Sequence, residues 1–107
     1  MSDEARFSTV AADLVARDDN VEHGTMLHSP GLKTSGKFFV FATPDDIVVK
    51  LSAARVQELI ASGVGRPCEI GSRGPMREWV RLMPGTEETC TAYVMEGRDF
   101  VARLQRR

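Results

Sequence analysis

Residues 37–51 read Lys37-Phe38-Phe39-Val40-Phe41-Ala42, then Thr43-Pro44-Asp45-Asp46, then Ile47-Val48-Val49-Lys50-Leu51. The outer runs are short and rich in β-branched and aromatic residues, as strands are. The link between them has proline in second place with aspartates behind it, which fits a type I turn. Strands joined this tightly must be antiparallel, because parallel neighbours need a long crossover. Upstream, Thr34-Ser35-Gly36-Lys37 offers another tight reversal, since glycine accepts a positive φ at little cost. A third strand is therefore expected within residues 21–34, kinked, bulged or at a sheet edge near Ser29-Pro30-Gly31, where Pro30 has no N–H for a ladder.

Helical periodicity brackets this meander. Phe7, Val10, Ala11, Leu14 and Val15 form the stripe of an amphipathic helix over residues 3–16. After the meander, Ser52 is placed to cap a second helix that reaches about Ser62, with Gly63 closing it. Residues 63–76 are rich in glycine and proline and read as a long loop, with a short strand at 68–70. Residues 78–83 read as another strand. Pro84-Gly85-Thr86 then opens a final helix over residues 87–105, which aligns Cys90, Tyr93, Val94, Gly97, Phe100, Val101 and Leu104. The expected fold is α+β, a two-layer sandwich in the order α-β-β-β-α-β-β-α. Its sheet is antiparallel and its helices lie mainly on one face, as a single domain over residues 1–107.

The 38–41 run raises a packing problem. Strict alternation puts Phe39 and Phe41 on one face and Phe38 and Val40 on the other. A helix layer covers one face, so a wrapped helix or a second subunit is expected on the other.

The chain carries 14 lysines and arginines against 15 acidic residues, a formal net charge of −1. That balance speaks against nucleic-acid binding through bulk charge. No apolar run approaches the roughly 20 residues of a membrane span. The acidic start Met1-Ser2-Asp3-Glu4 does not read as a secretory signal, so Cys68 and Cys90 are expected as reduced thiols in a cytoplasmic protein.

Gly31-Leu32, Gly36-Lys37 with Phe39, Val49-Lys50-Leu51, Arg55-Val56 and Gly63 stand in an order that resembles the TfoX/Sxy N-terminal domain family. The later stretch Gly71-x-x-Gly74-x-Met76-x-Glu78-Trp79-Val80 adds to the resemblance, which spans residues 24 to 83. It implies a two-layer α/β sandwich with an antiparallel sheet, here as a stand-alone N-terminal domain without the C-terminal domain of the larger members. Those members are regulators of natural competence, so the resemblance points to regulation.

Candidate sites are few. Arg77, Trp79 and Arg81 share a strand face by the period of two, and arginines flanking a tryptophan are a common protein-docking composition. The competing reading buries Trp79 under the arginine stems. The loop Gly71-Ser72-Arg73-Gly74-Pro75-Met76-Arg77 offers backbone N–H groups and the charges of Arg73 and Arg77 to an anion, with Gly74 between them. The plainer reading is an ordered loop whose glycines need positive φ. Glu22, His23 and His28 do not assemble a metal site, since 23 and 28 alternate to opposite faces of a regular strand. Cys68 with His23 or His28 is the one pairing with nucleophile chemistry, and neither histidine is fixed beside it by spacing. No catalytic residue, metal or cofactor is therefore expected. The sequence favours a small non-enzymatic interaction or regulatory module with a protein partner or a second copy of itself. The alternatives are a DNA-binding transcriptional regulator, and a small enzyme or anion binder using the 71–77 loop and Cys68.

Overall fold

A computed structural model describes residues 3–26, 28–69 and 74–105. Among them the elements run α1 (Asp3–Arg17), β1 (Val21–Met26), β2 (Ser29–Thr34), β3 (Lys37–Ala42), β4 (Ile47–Lys50), α2 (Ala53–Ala61), β5 (Gly65–Glu69), β6 (Pro75–Leu82) and α3 (Glu87–Leu104). The fold is α+β. Its strands form one six-stranded sheet in the order β1-β2-β3-β4-β6-β5, antiparallel at every pairing.

The local signals act as the residues dictate. Ser35 and Gly36 both take positive φ, 50° and 84°, and so make the tight turn between β2 and β3. Thr43 N donates to Asp46 O at 2.8 Å and closes the β3–β4 link. Ser52 caps α2 by accepting from Arg55 N, and Thr86 caps α3 by accepting from Thr89 N. Gly63, with φ 81°, lets the chain leave α2.

Four expectations are corrected. Residues 21–34 form a hairpin of two strands rather than one kinked strand, so four strands precede α2. The reversal carries no glycine, and His28 takes the positive φ of 69° instead. Pro30 sits within β2 opposite Thr25, where β1 is the outermost strand of the sheet. The second correction concerns the faces of β3. Leu32 pairs with Val40 and Lys33 with Phe38, so Phe39 is an extra, bulged residue. The bulge sends Phe39 and Val40 together to the helix side, and Phe38 and Phe41 together to the other. The short 68–70 strand also extends to Gly65–Glu69, and β6 begins earlier than expected, at Pro75.

The main core lies between the helices and the sheet. Phe7, Val10 and Ala11 of α1, Val56 and Leu59 of α2, and Cys90, Val94 and Val101 of α3 meet Phe39, Val40, Val49 and Val80. Gly97 permits the closest approach. A Cβ added there would stand 2.6 Å from Val49 Cγ1 and 3.0 Å from the Phe39 carbonyl oxygen. Gly97→Ala is expected to lower unfolding free energy by about 2 kcal/mol, because backbone and a β-branched side chain cannot yield cheaply. That loss outweighs the roughly 1 kcal/mol of helix propensity that alanine adds. Urea unfolding measures it, and an unchanged or raised midpoint would contradict the close packing.

Candidate functional site

On the face away from the helices, β6 places Trp79 next to Lys50 of β4 in the pairing register. The indole packs on Phe41 with ring centroids 5.6 Å apart, tilted by 53°. Val48 and Cys68 complete a second cluster, with Met26, Phe38 and Met76 packed against it. Trp79 is 6% exposed within this single chain. Within the chain, the second face is thus a small core of its own, with no helix across it among the described residues. Lysine stems lie along it. The Lys50 ammonium stands 5.3 Å from the Trp79 ring centroid, and that of Lys33 5.6 Å from the Phe38 centroid. Such cation–ring contacts hold an ammonium over an apolar surface while its charge stays near water.

Beside this cluster lies a buried carboxylate that sequence reading took as a turn residue. Asp46 is fully buried, and its Oδ1 accepts from Thr43 Oγ1 at 2.6 Å. Arg81 donates from Nε to Oδ2 at 2.9 Å and from Nη2 to Oδ1 at 3.3 Å. Arg66 of β5 stands 3.5 Å from the same Oδ2. The group ties the β3–β4 turn to β5 and β6. Hydrogen bonding to Asp46 pushes the Arg81 guanidinium up, against the opposing effect of desolvation. Of the three residues expected to bind a partner, Trp79 is therefore covered, Arg81 is engaged by Asp46, and Arg77 is exposed.

Cys68 is buried at 3% exposure, and desolvation pushes its thiol up. Nearby Asp46 adds to the rise and Arg81 opposes it. A thiol held protonated this way is a poor nucleophile near neutral pH. His23 and His28 are both exposed, and no cluster of three metal-ligating side chains occurs among the described residues. In the native state a thiol reagent should therefore modify Cys68 more slowly than free cysteine, with full reaction after unfolding. Rapid native labelling would contradict its burial. The folded state holds the Cys68 proton more tightly than the unfolded chain. Its stabilising effect is complete below the ordinary cysteine range, about 8.5, and falls as pH rises beyond it.

Of the proposed anion loop, Arg73 lies outside the described residues. Gly74 has φ 78°, as the plainer reading of that loop requires, and Arg77 makes no ion pair among the described residues.

Trp79 also lines a cleft at the surface. Where β3 begins and β4 ends, beside the last turn of α3, there is a cleft of about 530 Å³ lined by Lys37, Phe38, Lys50, Trp79, Val101 and Leu104. Lys50 stands 3.6 Å from Glu78 Oε1, while Lys37 makes no ion pair among the described residues. A cleft of similar size between α1 and α3 differs in this respect. Its Asp13 pairs with Arg17 and its Asp18 with Arg98, at 2.6 Å for the second, so its main charges neutralise one another.

Sequence reading missed Asp46, Lys33, Lys50 and Phe38 as parts of this face. Lys50 meets Trp79 through strand pairing, and Phe38 reaches the cluster through the bulge. Neither is written in local periodicity. Among the described residues no helix is long and apolar enough to cross a membrane. No protein-family model, curated protein or solved structure matches the chain.

Proposed function

We propose that the chain is a small non-enzymatic interaction module of the TfoX N-terminal type, acting in the cytoplasm. In this reading it holds an acidic segment of a protein partner against the face of its sheet away from the helices. The observation that carries it is the pair of ammonium groups stacked on rings, Lys50 on Trp79 and Lys33 on Phe38, with Lys37 nearby and unpaired among the described residues. Lys33 stands 3.7 Å from Glu22 and Lys50 3.6 Å from Glu78, so Lys37 supplies the uncompensated positive charge of this face. Charges placed in this way steer and select an oppositely charged partner.

A second copy is a poorer occupant, because the same lysines would face one another across a two-fold axis. Single-stranded nucleic acid needs open ring faces for stacking, and the rings of Trp79 and Phe41 are covered. The raised Cys68 thiol speaks against nucleophilic catalysis. Its burial together with that of Cys90, both as free thiols, is compatible with a reducing compartment.

Trp79 is the only tryptophan and so reports on its own site. Titration with a poly-glutamate peptide should change its fluorescence saturably, and the apparent affinity should fall as salt rises. Poly-lysine should leave it unchanged. An equal response to both polymers, or to neither, would sink the proposal.

A further inference from the structure

We infer that the cleft at the end of this face seats the C-terminal carboxylate and last apolar side chain of the partner chain. The inference rests on the docking reading above and specifies the anchor that the reading lacks. The cleft, about 530 Å³, lies within the range typical of sites for small groups. Its walls are of two kinds. Phe38, Trp79, Val101 and Leu104 are apolar, whereas Lys37 and Lys50 on the same lining are basic, the Lys50 ammonium lying over the Trp79 ring. The occupant must therefore carry a negative charge and a sizeable apolar group close together. A C-terminal residue has both on one Cα. An internal aspartate or glutamate carries only the charge and must borrow its apolar group from a neighbouring residue.

The two lysines divide the work. Lys50 is positioned by the Trp79 ring and by Glu78, which already balances part of its charge. Lys37 is exposed and makes no ion pair among the described residues, so it supplies the uncompensated charge. Gln105, also on the cleft wall, donates its side-chain amide to the Thr34 carbonyl oxygen at 2.9 Å. Its own carbonyl oxygen is thereby oriented and can accept the N–H of the partner's last peptide unit.

The test uses a short glutamate-rich peptide ending in phenylalanine, prepared as the free acid and as the C-terminal amide, with N-acetyl-phenylalanine as a third probe. Trp79 fluorescence follows each titration of the full chain. The free acid should bind about tenfold more tightly than the amide, the effect of one charge-assisted contact. Lys37→Gln, a change at an exposed strand start, should abolish that difference, so that acid and amide bind alike to the variant. Equal binding of acid and amide would overturn the C-terminal anchor and leave acidic docking standing. Binding of neither would overturn both. N-acetyl-phenylalanine binding as tightly as the peptide would overturn the partner-chain assignment in favour of a small-carboxylate site.

Discussion

Trp79→Ala is expected to lower the unfolding free energy by about 4 kcal/mol, among the largest losses available to a single substitution here. The indole is 6% exposed and fills the space between Phe41, Val48 and Cys68. Truncation leaves a cavity lined by a sheet that cannot collapse, because β4 and β5 hydrogen-bond β6 on either side. For a domain of this size the melting temperature should fall by about 15–20 °C. Trp79→Phe should lose less than half as much, since most of the apolar volume remains. Circular dichroism is the fitting probe, as the substitution removes the only tryptophan. A loss below about 1 kcal/mol would mean that the ring is a surface group and that the second face is not a core. The same reasoning makes Trp79→Ala a poor test of partner binding, because lost binding and lost folding coincide. Lys37 and Lys50 serve that purpose better.

Arg81→Met is expected to lose about 3 kcal/mol by a different route. It strips both guanidinium hydrogen bonds from Asp46, which is fully buried. The carboxylate would keep the Thr43 hydroxyl and the more distant Arg66, too little to compensate a charge removed from water. Arg81 is itself 37% exposed, so the interaction is partly screened and the figure lies at the lower end for broken buried pairs. Asp46→Ala combined with Arg81→Met should cost less than the sum of the two singles, as contacting partners do. Additive losses would show that the ion pair is not what holds the turn to β5 and β6.

Much of the fold was legible before any coordinates. Helix stripes, caps and turn residues each rest on contacts within a few positions of one another. Phe7, Val10 and Ala11 had to face inward together, and Ser52 and Thr86 had to cap, for reasons local to their own segments. The hairpin at Met26–Ser29 was not legible, because His28 holds a backbone angle that glycine or asparagine usually marks. The candidate site was harder still. Trp79 was singled out by composition, but its burial, the lysine on its ring and the cleft beside it come from three strands and a helix end.

By itself the sequence determined an antiparallel α+β sandwich, its helix faces, and a β3 strand apolar on both sides. That much follows from periodicity, since a run of side chains has only a few ways to place its apolar members. Tertiary structure alone decided how the second side is satisfied. One bulge at Phe39 moves Phe38 and Phe41 to the same face, and pairing of β4 with β6 lays Lys50 over Trp79. Register is set by the whole sheet, and a one-residue shift exchanges every face beyond it. Within the chain the sheet's far face is therefore packed by its own side chains, with lysines on the outside and no helix across it among the described residues.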